Sequence, residues 1–131
     1  MDKPDDRKWI LIVDDDSSVR LMLARVLISE GYGVLTAANG VDALGLAETL
    51  SVDLVLLDLN MPGAKGWEIL EELRVKNMAP SVIIITALPN QQEAASAAGA
   101  ATVLEKPLDF PRLIQTVSQV LAKQVNSNHS A

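Results

Sequence analysis

The chain has 131 residues, enough for one domain around one core. Hydrophobic residues make up 49%, charged residues 21% and aromatics only 3%, which excludes a disordered chain and requires an aliphatic core. Eleven Lys+Arg against seventeen Asp+Glu give a net charge of −6, which argues against nucleic acid as a direct partner; the lack of cysteine excludes a disulfide framework, a thiolate metal site and a cysteine nucleophile.

Residues 1–7, Met-Asp-Lys-Pro-Asp-Asp-Arg, read as a polar N-terminal extension without the apolar centre of a signal peptide. Trp9-Ile10-Leu11-Ile12-Val13 is a short apolar run closed by Asp14, Asp15 and Asp16, and predicts a buried strand. Val19, Met22, Leu23, Val26 and Leu27 recur at helical spacing, and Gly31 is placed to end that helix. Residues 33–37 predict a weaker strand nearer an edge. Asn39 can cap a second helix carrying Val41, Leu44, Ala47 and Leu50.

Residues 53–57 predict the next strand, ending at Asp58 and followed by the turn Leu59-Asn60-Met61-Pro62-Gly63. Gly66 to Lys76 predicts a third helix with Trp67, Leu70 and Leu73 on one face. Residues 82–85 predict a strand ending at Thr86. Asn90 to Ala98 predicts an Ala-rich fourth helix with no large apolar anchor, ending at Gly99. Residues 102–104 predict the last strand, closed by Glu105 and Lys106. Asp109 can cap a fifth helix with a stripe of Leu113, Ile114, Val117, Val120 and Leu121. Residues 125–131 are polar and aperiodic, and read as a frayed tail or linker stub, so the domain spans 8–124. No apolar run approaches the ~18 residues of a membrane span, so no membrane contact and a cytoplasmic location are expected.

The order βαβαβαβαβα predicts an α/β fold, a doubly wound parallel sheet with helices on both faces. Ligands of open α/β sheets bind beyond the carboxyl ends of the strands. Asp14, Asp15, Asp58, Thr86 and Lys106 all fall there. A carboxylate at the tip of a buried strand is costly unless something uses it. Three acids suit a hard cation such as Mg²⁺, which takes oxygen ligands and keeps several waters. An aspartate can also act as nucleophile toward phosphorus, with a lysine and a hydroxyl to receive the phosphoryl oxygens. Taken singly, Asp14-Asp15-Asp16 is a solvated turn capping a helix, Lys106 a surface lysine before a proline, and Thr86 a strand-end hydroxyl. Jointly they make a site.

These pieces carry a resemblance. Ile10-Leu11-Ile12-Val13-Asp14-Asp15-Asp16 with Arg20, then Asn39-Gly40-Val41-Asp42-Ala43-Leu44, then residues 53–63 with Gly66, then Thr86-Ala87, Gly99-Ala100 and Lys106-Pro107-Leu108 follow one another in a familiar order. Over residues 8–124 the chain is similar to the receiver domain of two-component response regulators. The resemblance implies a flavodoxin-like sheet of five parallel strands, order 2-1-3-4-5, with five helices. It implies Asp58 as the phosphoacceptor, and Asp14, Asp15, Asp58 and the backbone carbonyl of Asn60 as ligands of Mg²⁺. It implies Thr86 and Lys106 as contacts of the phosphoryl group, and a cis bond between Lys106 and Pro107.

The implied partners are a histidine kinase or phosphotransfer protein as donor, and an output domain or partner on the face of the fourth helix, fifth strand and fifth helix. Two departures from the family pattern stand out. The position three before the lysine, usually Tyr or Phe, is Val103, which has no ring to swing. Thr86 and Lys106 are 20 residues apart, slightly closer than usual. Residues two past the acceptor and two past the threonine flank the attacking water in the family. Here they are Asn60 and Leu88, which implies slow self-dephosphorylation and no other catalytic turnover. The alternatives are a pseudo-receiver that binds partners without phosphorylation, and an aspartate-nucleophile phosphatase. The latter class needs an acid where Asn60 stands.

Overall fold

The computed structural model describes residues 7–60, 66–76 and 80–129. The first six residues, the turn residues 61–63 and the last two residues therefore lie outside the described part. The elements run β1 (Trp9–Val13), α1 (Ser17–Ser29), β2 (Gly33–Ala37), α2 (Gly40–Thr49), β3 (Leu54–Asp58), α3 (Gly66–Val75), β4 (Ser81–Thr86), α4 (Gln92–Ala97), β5 (Thr102–Glu105) and α5 (Phe110–His129). All strands are parallel, in the order β2-β1-β3-β4-β5. This is the doubly wound α/β sheet expected.

The strand runs are apolar on both sides because both faces are covered. Successive residues alternate between two cores. Leu11, Val13, Val55, Leu57, Val82 and Ile84 face α2, α3 and α4, packing with Ala43, Ile69, Leu70, Leu73 and Ala95. Ile10, Ile12, Leu54, Leu56, Ile83 and Ile85 face α1 and α5, packing with Leu23, Leu27, Leu113, Val117 and Leu121. A slip of one residue would exchange the two sets, which holds the register. At the amino end of β1 the Trp9 ring lies over its register partner Gly33. A Cβ at Gly33 would fall 2.4 Å from that ring, so the ring occupies the space a side chain would need.

Helix ends follow their predicted signals. Asn39 Oδ1 accepts from Asp42 N–H at 2.8 Å, and Asp109 Oδ1 from Arg112 N–H at 3.4 Å. Some boundaries differ from expectation. β3 is displaced by one residue from the predicted 53–57, so Asp58 is its last member, paired with Ile85. The fourth helix shrinks from 90–98 to six residues, with Ala95 its one buried side chain. Asn90 takes a positive φ of 62°, which keeps it out of that helix.

The fifth helix continues to His129, through most of what reads as a tail. Extending an existing helix costs little even for Asn and Ser, because the nucleus is already formed. Gln124 fastens this helix to the amino end of the sheet. Its side-chain amide donates to the Asp53 carbonyl at 2.6 Å and to Ser81 Oγ at 2.9 Å. Asp53 is held in turn by Trp9 N–H, which donates to its carboxylate at 2.8 Å. None of the described helices is long and apolar enough to cross a membrane.

Candidate functional site

The ladder hydrogen bonds run one residue past each strand and so fix where the polar groups emerge. Asp14 N–H donates to Ala37 O at 3.1 Å, Leu59 N–H to Ile85 O at 3.0 Å, and Lys106 N–H to Thr86 O at 2.8 Å. Asp14, Asp58, Thr86 and Lys106 are thereby presented together at the carboxyl edge of the sheet. The first three are buried, with exposures of 2%, 3% and 0%. The Lys106–Pro107 peptide bond is cis, as the resemblance implies.

Asp14 is held from two sides. Its Oδ1 accepts from Asp16 N–H at 2.9 Å, and its carbonyl accepts from the Arg20 guanidinium at 2.6 Å. Its Oδ2 is buried and has no hydrogen-bond partner. Burial pushes the Asp14 carboxyl above its ordinary range. The Asp16 N–H opposes that rise, the Asp58 charge adds to it, Lys106 opposes it, and Asp15 adds a little more. Asp16 caps α1, accepting from Ser18 N–H at 2.9 Å and Val19 N–H at 3.3 Å.

Asp58 Oδ1 accepts from Asn60 N–H at 3.0 Å. The Lys106 ammonium lies between the two buried acids, 3.5 Å from Asp58 Oδ1 and 3.8 Å from Asp14 Oδ2. Oxygens of Asp14, Asp15 and Asp58 all lie within 4.8 Å of one another, with Asp15 at the solvent side. One ammonium is too little to neutralise three carboxylates, and one buried oxygen is left without a donor. A hard divalent cation with oxygen ligands fits that deficit.

Thr86 does not point its hydroxyl proton at the acids. Its Oγ1 donates to Asn60 Oδ1 at 3.2 Å and accepts from Leu88 N–H at 3.0 Å. Ala87 N–H donates to the same Asn60 oxygen at 3.3 Å. The bonding of the Asn60 side chain to Thr86 and Ala87 is not legible in the sequence, which points only to its carbonyl, its place beside the attacking water and its lack of an acidic proton. An amide in a turn carries no periodic signal, and its partners lie 26 and 27 residues away. Arg20, part of the resemblance, holds the Asp14 carbonyl.

Gly66 sets the distance between α3 and this edge. A Cβ there would come within 2.7 Å of Leu59 Cδ2, 3.0 Å of Leu59 Cα and 3.3 Å of the Asp58 carbonyl oxygen. Val103, in register with Ile84, is partly buried against the core beneath α2, α3 and α4.

Comparison with known proteins follows the same lines. Residues 10–118 match the response regulator receiver domain family. The chain is 40% identical over 120 residues to sporulation initiation phosphotransferase F of Bacillus subtilis, covering 89% of this chain and 96% of that one. It is 41% identical over 115 residues to the transcriptional regulatory protein ZraR of Salmonella typhimurium, covering 86% of this chain but 26% of that protein. Among solved structures, the response regulator protein TrrA of Thermotoga maritima, in complex with Mg²⁺ and BeF, superposes with a TM-score of 0.78 at 36% identity, covering 86% of this chain and 97% of that one.

Proposed function

The chain belongs to the response regulator receiver domain family, and from that premise we propose that it is a phosphorylation-switched receiver whose acceptor is Asp58. The observation that carries the reading is the position of Lys106, with one ammonium within 4 Å of two buried carboxylates. A charge so placed can follow an oxygen of Asp58 as that oxygen becomes part of an acyl phosphate. The donor is a phosphohistidine of a histidine kinase or phosphotransfer protein. An Asp58 oxygen attacks phosphorus, and the phosphorus–nitrogen bond breaks. The departing imidazole nitrogen keeps the electron pair and takes a proton from water.

Asp14, Asp15, Asp58 and the Asn60 carbonyl would hold Mg²⁺. When bound, the cation supplies charge neutralisation on the carboxylates and the phosphoryl oxygens. The protein's own groups do the rest. Asn60 N–H orients the Asp58 carboxylate, Arg20 and Asp16 fix Asp14, and Lys106 and Thr86 receive phosphoryl oxygens. Asn60 has no acidic proton to give a leaving group, which favours a signalling role over a phosphatase.

The output face in this reading comprises α4, β5 and α5. Its moving part is residues 87–99. The short α4 buries only Ala95, and it and the loop before it are tied to β5 by polar contacts: Thr102 Oγ1 to Gln92 at 3.3 Å, and Asn90 N–H to Glu105 at 3.4 Å. Few apolar contacts make such a segment the easiest to shift.

Acetyl phosphate with Mg²⁺ tests the acceptor. One phosphoryl group should be added to the wild type and none to Asp58→Asn. Full labelling of that variant, or undiminished labelling in EDTA, overturns the assignment. Hydrogen exchange with and without beryllofluoride tests the moving part, which fails if residues 87–99 exchange alike in both states.

A further inference from the structure

We propose that the Asn60 side chain is a latch that holds Thr86 and Ala87 in the resting position and must release them before they can meet a phosphoryl group. The inference rests on Asp58 being the acceptor, and names the residue that sets the resting state of that site. Two donors from the loop after β4, the Thr86 hydroxyl and the Ala87 N–H, converge on one acceptor, Asn60 Oδ1. A hydroxyl carries one proton, so Thr86 can donate to Asn60 or to a phosphoryl oxygen but not to both. One of its lone pairs is also engaged, because Leu88 N–H donates to Oγ1. Thr86 is fully buried, away from bulk solvent.

The latch is weak. Both bonds are long, at 3.2 and 3.3 Å, and the acceptor is a neutral amide. A phosphoryl oxygen is charged and makes hydrogen bonds roughly twice as strong. The exchange of acceptor is therefore favourable once the phosphoryl group arrives, while the loop stays put beforehand. Asn60 also senses the acceptor through its backbone, since its N–H donates to Asp58 Oδ1. Formation of the acyl phosphate removes the carboxylate charge and weakens that bond. One residue thus joins the acceptor to the loop that responds to it. Asn60 is a positioning residue in this scheme, acting through Thr86 and Ala87.

The test uses the full chain and the Asn60→Ala and Asn60→Asp variants, both of which keep the backbone carbonyl. In the unphosphorylated protein the Ala87 amide should exchange about fivefold faster in Asn60→Ala, as for loss of one ordinary hydrogen bond. Asn60→Asp keeps an acceptor oxygen and should restore slow exchange. With Mg²⁺ present, beryllofluoride should bind Asn60→Ala about three- to tenfold more tightly, because the resting state has lost its tie. Unchanged Ala87 exchange in Asn60→Ala, fast exchange in both variants, or weaker beryllofluoride binding by Asn60→Ala overturns the latch. Wild-type labelling by acetyl phosphate is measured alongside. If it occurs while Ala87 is insensitive to the variants, the latch alone is wrong; if it does not occur, the acceptor reading falls and the latch with it.

Discussion

Lys106 Nζ stands 3.5 Å from Asp58 Oδ1, beyond the about 2.7–2.9 Å of a tight charge-assisted hydrogen bond. The pair is close enough to attract and loose enough to admit another oxygen. Replacing Lys106 by Met keeps most of the stem and removes the charge. Labelling by acetyl phosphate should slow by about ten- to a hundredfold, the range for losing a hydrogen bond to a charged group. A rate within twofold of wild type would show that the ammonium does not reach the phosphoryl group.

Asp14 makes stability depend on pH. Its folded carboxyl is raised above the ordinary 3.8, chiefly by burial. Between 3.8 and the raised value the folded state binds more protons than the unfolded state, so stability falls as pH rises through that window. In EDTA, Asp14→Asn should remove this fall. It should also raise the melting temperature at pH 7. A lower melting temperature at pH 7 than wild type in EDTA would show that Asp14 is not an electrostatic burden.

Gly66→Ala should be damaging for a steric reason. The new methyl would meet Leu59 Cα and the Asp58 carbonyl, which are backbone and not free to rotate away. α3 must then lift from the end of β3, at a cost of about 1–3 kcal/mol. Urea unfolding measures the cost, and labelling should slow in the same variant because Leu59 lies between Asp58 and Asn60. Wild-type stability together with wild-type labelling would contradict this packing.

Leu88 is 48% exposed while its N–H is tied to Thr86, so its side chain is free to vary without disturbing the loop. Leucine makes no hydrogen bond to water. Leu88→Glu places an acceptor there and should speed loss of the phosphoryl group severalfold, followed by the decay of label after the donor is removed. An unchanged or slower decay would count against Leu88 as a shield.

Much of this architecture is legible in the chain. Runs of three to five residues leading to Asp14, Asp58, Thr86 and Lys106 reveal both the strands and the edge to which they lead, because a parallel sheet places every carboxyl end together. Caps such as Asn39 and Asp109 mark helix starts through local chemistry. What stays hidden depends on distant chain segments. The Asn60–Thr86 bond, across 26 residues, and Gln124 on Asp53, across 71, have no local signature. The length of α4 and the continuation of α5 to His129 depend on small propensity differences that local pattern resolves poorly.

The two tryptophans sit at opposite poles of the sheet, and this gives the chain a built-in optical ruler. Trp9 lies over Gly33 at the amino pole, next to the Asp53 clamp. Trp67 follows Gly66, one residue beyond the close approach to Leu59 and Asp58, and is partly buried. Intrinsic emission can therefore be divided by position. Binding of Mg²⁺ or a phosphoryl mimic should alter the Trp67 component and leave Trp9 quiet, whereas unfolding should alter both. With only one tyrosine and one phenylalanine elsewhere, little else absorbs or emits to blur the separation.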